Sequence, residues 1–202
     1  MSDADSIALT DDEAAAIAVL ADGAWRSPLP TVNEADTADL ASAVLRGRRS
    51  LVVRELAAPD GAVTGAAAAV LARLGAGPCA AFLLVDADGD WIPAGPTIYL
   101  YGPSPDEVQM SHVVAASGVH YLRVAPPPGQ WAALTGLAEA VYEDGFAEGR
   151  DGARQPAAAL LSGGREAGLR TIRVARGAAS VVRDQPGETF ASVADAISWM
   201  LA

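Results

Sequence analysis

Three aspartates alternate along VDADGDW (residues 85–91), and carboxylates at that spacing raise the question of a calcium loop. A loop of the EF-hand kind requires Asp at positions 1, 3 and 5, Gly at 6 and Glu at 12. Counting from Asp86, position 6 is Trp91 and position 12 is Thr97, so the turn glycine and the bidentate carboxylate are both missing. The flanking runs FLLV and TIYLY are typical of strands, and Asp88-Gly89 is a turn dipeptide. We therefore predict the tip of a β-hairpin and no metal site.

The two histidines, His112 and His120, are the next candidates for chemistry. Ser117-Gly118 lies between two β-like runs and indicates a two-residue hairpin turn, in which residues whose numbers sum to 235 lie opposite each other. This register places His112 opposite Arg123 and puts the two imidazoles on opposite faces of the hairpin. We expect that separation to survive a one-residue shift of register, and we predict a structural role for each histidine.

The remaining motifs for catalysis or cofactor binding are incomplete. Residues 75–80 (GAGPCA) match a dinucleotide fingerprint, but that motif must follow a strand and open a helix, and here the predicted order is reversed. Residues 102–106 (GPSPD) lack the last glycine of G-x-S-x-G. Cys79 begins an apolar run, where an inert buried thiol is usual. We predict no catalytic residue and no cofactor, which favours a non-enzymatic protein over an enzyme.

The charge balance limits the partners. Twenty-five acidic residues stand against 14 basic ones, all of them Arg, for a net charge of −11 in 202 residues. Nucleic-acid affinity comes largely from neutralising phosphates, so we expect no nucleic-acid partner. The run RGRR (46–49) could be the edge of a nucleic-acid-binding winged helix, but a solvated helix end or an anchor for acidic side chains is the simpler interpretation.

The ends and apolar runs of the chain predict a cytoplasmic protein. The N-terminal sequence MSDADSIALTDDE is acidic and has no basic region followed by an apolar core, unlike a signal peptide. The longest apolar run, residues 66–72, is far shorter than a membrane span. We expect no membrane insertion.

The helices and strands that position these residues are predicted from the spacing of apolar residues and from the positions of Gly, Pro and capping residues. Thr10 and Glu13 make a capping box that opens a first helix. A second helix is predicted from about Glu34 to Arg46, with Leu40, Val44 and Leu45 inward and Gly47 at its end. A third helix follows Thr64. Further predictions are strands over 80–86, 98–101, 108–116, 119–125, 169–175 and 178–182, a helix after the prolines 126–128, and a C-terminal helix carrying Phe190, Val193, Ile197 and Met200.

These elements predict an α+β fold in which an antiparallel sheet, built from hairpins, carries packed helices and follows an N-terminal helical segment. Residues 1–202 form one predicted domain, which divides into a mainly helical part (9–77) and a part with the sheet and further helices (78–202). The polar, glycine-rich stretch 143–155 is the predicted mobile loop.

One strand is a candidate interface. In TIYLY (97–101), Ile98 and Leu100 share the face expected to meet the core, so that Tyr99 and Tyr101 point outward or into a groove. Tyrosine is enriched at protein interfaces, but helices covering both faces would make these rings part of the core, and periodicity does not decide between the two. The residues assigned to partner binding are Trp91, Ile92, Tyr99, Tyr101, Tyr121 and Arg123.

The first part of the chain resembles the EspG family, the actinobacterial chaperones of type VII (ESX) secretion. The residues that carry the resemblance are LTDDE (9–13), opening a helix, and DLASAVLRGRRSLVVR (39–54), followed by the turn Pro59-Asp60-Gly61. The similar pattern covers about residues 9–125. It implies an α+β fold around an antiparallel sheet, no enzymatic activity, and recognition of a helical secretion substrate such as a PE–PPE pair.

Two other functions stay open at this point. One is a small-molecule-binding domain or enzyme with a cleft between sheet and helices that uses His112 with Arg123. The other is the winged-helix nucleic-acid binder, which the net charge disfavours.

Overall fold

The computed structural model describes residues 6–21, 25–74, 78–85, 92, 97–145, 158–163, 170–182 and 188–202. Nine strands in these ranges form one antiparallel sheet with five α-helices packed on it, which confirms the predicted α+β class. The elements in chain order are β1 (Ser6–Thr10), α1 (Asp11–Leu20), α2 (Thr37–Val53), α3 (Gly65–Leu74), β2 (Pro78–Val85), β3 (Thr97–Tyr101), β4 (Met110–Ala115), β5 (Val119–Val124), α4 (Gln130–Asp144), β6 (Ala158–Gly163), β7 (Arg170–Ala175), β8 (Ala178–Val181), β9 (Thr189–Phe190) and α5 (Val193–Leu201).

The strands lie in the order β1-β5-β4-β3-β2-β6-β7-β8-β9, and each described pairing is antiparallel. β2 and β3, which flank the aspartate stretch, pair with Phe82 opposite Ile98 and Leu83 opposite Thr97. This antiparallel pairing is what the hairpin prediction requires. The turn itself, residues 86–91, lies outside the described residues.

Helices cover the two faces of the sheet at different ends. One face, which we name the α1 face, packs against α1, α2 and α3 through side chains such as Leu9, Leu122 and Tyr101. The opposite face, named the α4 face, packs against α4 and α5 through side chains such as Phe82, Leu100 and Ile172. Strand alternation produces this division, because neighbours such as Leu100 and Tyr101 must point to opposite sides.

The path of α2 corrects the predicted second helix. Gly47 does not end this helix, which continues to Val53, and Leu45 points to solvent with 57% of its surface exposed. Gly47 lies where α2 crosses the start of α1, and a Cβ atom there would be 1.8 Å from the Asp12 carbonyl oxygen. The glycine therefore marks a close approach of two helices, and the expectation that Leu45 faces inward is wrong.

The other helices agree with the sequence, whereas three strands were not expected. The capping box at Thr10 and Glu13 is present, and α4 and α5 occupy the predicted regions. Phe190, which was predicted on the C-terminal helix, instead lies in β9, because Ser192 caps α5 and the helix begins at Val193. Strands β1, β6 and β9 are additions, and β1 forms one edge of the sheet. Most of the predicted mobile stretch 143–155 lies outside the described residues. None of the described helices has the length and apolar character that a membrane crossing requires.

Candidate functional site

His112 and His120 lie on the same face of the sheet and hydrogen-bond to each other, with His112 Nε2 2.9 Å from His120 Nδ1. The turn between β4 and β5 has three residues, so Ala115 pairs with Val119 and His112 pairs with Leu122. His120 is two residues from Leu122 and shares its face. The predicted register was one residue off, and the expectation that such a shift would leave the imidazoles apart is also wrong.

The length of that turn follows from its surroundings. Gly118 has a φ of +74°, a conformation that glycine adopts readily, and its carbonyl oxygen accepts a hydrogen bond from the Asp11 amide. A Cβ atom at Gly118 would lie 2.6 Å from Asp11 Oδ2 and 2.8 Å from the Thr31 side chain. The turn therefore packs directly against the first residue of α1, and this contact lies beyond what a local turn signal encodes.

Asp11 extends the histidine pair into a chain of hydrogen bonds that we name the Asp11–His120–His112 chain. Its Oδ1 lies 2.6 Å from His120 Nε2, and its Oδ2 accepts hydrogen bonds from the Thr31 amide and hydroxyl. An ionised carboxylate only accepts, so the Nε2–H of His120 donates to it. With both rings neutral, the Nε2–H of His112 donates to His120, which leaves His112 Nδ1 buried without a partner among the described residues.

The protonation of this chain follows from its environment. Burial by itself would raise the pKa of Asp11, but the hydrogen bonds from His120 and Thr31 outweigh burial and hold the pKa below the usual 3.8. Burial, with the neighbouring His120 as the second cause, lowers the pKa of His112 well below 6.5. At neutral pH, Asp11 is therefore charged and His112 is neutral.

Aromatic rings enclose the two imidazoles. The Trp25 ring centroid lies 5.1 Å from His112 and 5.3 Å from His120, and Tyr101 stacks on His112 at 6.3 Å. Both imidazoles are fully buried, with 0% of their surface exposed. A substrate has no access to either ring in this conformation, so the chain of hydrogen bonds serves to fix α1 and the Thr31 segment onto the sheet.

The other two acids in the first turn of α1 bind α2. Asp12 makes a two-point ion pair with Arg46, in which both nitrogen–oxygen distances are 2.7 Å. Glu13, which is fully buried, accepts hydrogen bonds from the Ser50 hydroxyl and from Arg54 Nη1, each at 2.6 Å. Arg46, Ser50 and Arg54 are four residues apart, so their side chains lie on the same side of α2. The prediction that the RGRR run could anchor acidic side chains is thus confirmed for Arg46.

The tyrosines of the candidate interface are in the core. Tyr99 is 3% exposed and Tyr101 is 0% exposed, because helices cover both faces of β3. Of the two placements that the sequence left open, the core is the one observed for both rings, and Tyr99 also lines a cleft of the α1 face. The side chain of Ile92 is half-buried against the core of the α4 face, and Trp91 lies outside the described residues.

Tyr121 and Arg123 lie on the α4 face toward the β1 end of the sheet, where Tyr121 is exposed and Arg123 is half-buried. Tyr121 is 54% exposed, and its cross-strand neighbours are Val113, which is 39% exposed, and Ala8 on the edge strand. We name this exposed row of side chains across β4, β5 and β1 the terrace. Arg123 pairs with Ser111 and faces the opposite side from His112, so a cleft that uses His112 together with Arg123 is excluded by the register.

A second exposed apolar surface, unforeseen in the sequence, lies where α1 ends beside α2. Leu20 is 42% exposed and Val53 is 82% exposed, and both line a groove of about 460 Å³. Arg48, Arg49 and Asp60 line the same groove, which we name the Arg48 groove. The described ion pairs leave both of these arginines without a carboxylate partner. Leu45, Arg49 and Val53 are four residues apart in the sequence, a spacing that places them on one side of a helix. This pattern was missed because the helix was predicted to end at Gly47.

Comparison with known proteins returns no relative: no protein-family model matches the chain, and no curated protein matches it. Among the described residues, no group of three or more His, Cys, Asp or Glu side chains is arranged to hold a metal ion. The similarity to the EspG pattern over about residues 9–125 therefore stays a resemblance. In the structure, the segments 9–13 and 39–54 that carry the resemblance pack α1 against α2 through contacts of Asp12, Glu13 and Gly47.

Proposed function

We propose that this chain is a non-enzymatic protein-binding module, a cytoplasmic chaperone or adaptor of the kind that the EspG-like pattern implies, and that its partner docks in the Arg48 groove. The observation that carries the proposal is an exposed apolar groove flanked by two arginines that have no ion pair in the described structure. Exposed apolar surface rimmed by polar groups marks interaction sites in soluble proteins. Arginine is among the residues enriched at protein interfaces.

The chemistry of the groove supports a partner with an apolar anchor and acidic flanks. Leu20 and Val53 offer apolar contact, and desolvation of such side chains contributes roughly 25 cal/mol per Å² buried. Arg48 and Arg49 carry local positive charge on a chain whose net charge is −11. A helical secretion substrate, which the resemblance implies, would lay one apolar side of a helix into such a groove and present carboxylates to the arginines.

The experiment is a pull-down with the tagged chain as bait, with mass spectrometry as the readout. Wild type is compared with Val53→Asp, which places a charge in the groove, and with the matched control Val182→Asp. Val182 is 39% exposed and follows β8, on a different part of the molecule. We expect a small helical secreted protein to be recovered with wild type and with Val182→Asp, and to be lost with Val53→Asp.

The terrace is a second candidate surface, favoured by the 54% exposure of Tyr121 beside Val113. It belongs to the opposite face of the sheet from α1 and α2, so one short partner segment would not contact both surfaces. A Tyr121→Asp bait separates the two candidates. Loss of the partner with Tyr121→Asp and retention with Val53→Asp would move the docking site to the terrace. Equal recovery with every bait, or no recovery in a gentle buffer, would contradict the proposal.

A further inference from the structure

A separate cleft of about 500 Å³ opens on the α1 face between α1 and the segment 25–34, with the sheet as its floor. Its apolar wall includes Trp25, Leu29, Leu40 and Leu83. This volume is in the range of small-molecule sites, which are mostly apolar with a few polar groups that fix the ligand's orientation. The polar groups of the cleft therefore decide what class of molecule it fits.

One of these polar groups is the Tyr99 hydroxyl. Tyr99 is 3% exposed and lines the cleft, and no hydrogen bond joins its hydroxyl to another described residue. The hydroxyl of Ser27, another residue that lines the cleft, is fully buried and has no partner among the described residues. Buried hydroxyls usually find a hydrogen-bond partner, and a molecule in the cleft can supply it. Burial raises the pKa of Tyr99, with the nearby negative charge of Glu34 as the second cause, so this hydroxyl keeps its proton at neutral pH.

Two side chains of opposite charge, Arg26 and Glu34, also line the cleft. They belong to no ion pair within the described residues, either with each other or with a third group. One Glu34 oxygen accepts a hydrogen bond from the Leu29 amide at 3.1 Å, which ties this carboxylate to the cleft wall. The cleft thus presents one carboxylate, one guanidinium and two hydroxyl side chains, Tyr99 and Ser27, on a mainly apolar wall.

We infer that this cleft binds a small zwitterion with an apolar body, of the chemical class of the free aromatic and branched-chain amino acids. The ammonium group would donate to Glu34, the carboxylate would accept from Arg26 and from the Tyr99 hydroxyl, and the side chain would pack against Trp25 and Leu29. A ligand with only one of the two charges would leave Arg26 or Glu34 without its counterpart. This small-molecule site lies beyond the protein-binding function and does not depend on it.

Three ligands of matched shape test the inference by ligand-observed NMR titration of the full chain. L-phenylalanine carries both charges, phenethylamine lacks the carboxylate, and 3-phenylpropionate lacks the ammonium group. Exposed ion pairs contribute little individually, so we expect L-phenylalanine to bind about three- to fivefold more tightly than either analogue. Glu34→Gln should weaken the binding of L-phenylalanine and phenethylamine to that extent and leave the binding of 3-phenylpropionate unchanged. Arg26→Gln should weaken the binding of L-phenylalanine and 3-phenylpropionate and leave the binding of phenethylamine unchanged.

Two further variants locate the binding. Ala18 is half-buried and lines the cleft, so Ala18→Leu, which also suits a helix, should fill the cleft and abolish saturable binding of all three ligands. Val53→Asp in the Arg48 groove should leave all three affinities unchanged, and circular dichroism checks that each variant is folded. Equal affinities for the three ligands, unchanged binding in Ala18→Leu, or no saturable binding to the wild-type chain would each overturn the inference.

Discussion

Asp11 holds three separate parts of the chain together. Its backbone amide donates to Gly118, one carboxylate oxygen faces His120, and the other accepts from Thr31. Asp11 is 2% exposed, so water competes little for the groups that form these hydrogen bonds. Asp12, the next residue, makes a partly exposed ion pair with Arg46. Two neighbouring aspartates therefore differ greatly in how much the fold depends on their charge.

The first prediction compares these two aspartates. Asp11→Asn keeps the side-chain shape but replaces one accepting oxygen with an amide group, which cannot accept from both His120 and Thr31. We expect the free energy of unfolding to fall by about 2–4 kcal/mol, because a buried charged partner is lost. Asp12→Asn should change it little, since exposed ion pairs contribute little. Urea denaturation of both variants checks this, and equal losses would contradict the assigned role of Asp11.

The second prediction concerns His112 and pH. The pKa of His112 lies well below 6.5 in the folded chain, so below pH 6.5 the unfolded chain binds a proton at this residue that the folded chain does not. The free energy of unfolding should therefore fall as the pH drops below about 6.5, by up to about 1.4 kcal/mol per pH unit from this residue. Asp11 remains ionised over that range, because its pKa lies below 3.8.

The control is His112→Gln, which removes the titrating group and keeps a side chain that can hydrogen-bond to His120. Urea denaturation midpoints measured from about pH 7.5 to about pH 5.5 should give a flatter pH dependence for this variant than for wild type. The same slope for both proteins would show that His112 is not the group responsible.

At the scale of elements, the crossing of α1 and α2 depends on Gly47. No side chain fits there, because the Asp12 carbonyl oxygen would lie 1.8 Å from a Cβ atom. Around this contact, Arg46 binds Asp12, while Ser50 and Arg54 bind Glu13. Arg54 also donates to the Ala8 carbonyl at 3.0 Å, which occupies an acceptor on the edge strand β1.

The third prediction is a pair of glycine substitutions in helices. In a helix, Ala is more favourable than Gly by about 1 kcal/mol when nothing else changes. A Cβ atom added at Gly136 on α4 would meet nothing within 4 Å, so Gly136→Ala should raise the free energy of unfolding by roughly that amount. Gly47→Ala should lower it by several kcal/mol or prevent folding, because the clash is with backbone. Thermal unfolding followed by circular dichroism distinguishes the two, and a stabilised Gly47→Ala variant would contradict the described crossing.

These elements also show what could be predicted from the sequence and why the rest could not. Local signals were enough for the capping box at Thr10, the α4 and α5 helices and the β2–β3 hairpin. Gly47 was misassigned because a glycine that ends a helix and one that admits a neighbouring helix look alike in sequence. The histidine pair was missed because one extra turn residue reverses which face a side chain occupies. The Asp11–His120 contact joins residues 109 apart, which no local pattern reveals.

At the scale of the whole molecule, the sheet is covered on opposite faces at its two ends. α1, α2 and α3 cover the α1 face of the β1 end, and α4 and α5 cover the α4 face from β3 toward β9. This arrangement leaves the terrace around Tyr121 uncovered on one face, while Leu20 and Val53 remain exposed on the outer side of the helices. Among the described residues, four of the seven exposed large apolar side chains lie on these two surfaces, namely Leu20, Val53, Val113 and Tyr121.

The fourth prediction is the salt dependence of partner binding. If Arg48 and Arg49 contact carboxylates of the partner, raising the ionic strength should slow association, because charges at the rim of an interface act mainly on the association rate. Arg48→Gln/Arg49→Gln should bind more slowly than wild type at low salt and show a weaker salt dependence. Surface plasmon resonance with the captured partner measures both, and an unchanged salt dependence in the variant would remove the arginines from the interface.

The measurement that tests the proposed function most directly is photo-crosslinking from the Arg48 groove. A benzophenone amino acid is placed at Val53, which is 82% exposed, and in a second bait at Val182 as the control. Protein-binding through this groove predicts a specific adduct with a small helical secreted protein from position 53, with the crosslinked peptide identified by mass spectrometry, and none from position 182. No adduct from position 53, or the same adducts from both positions, would contradict it.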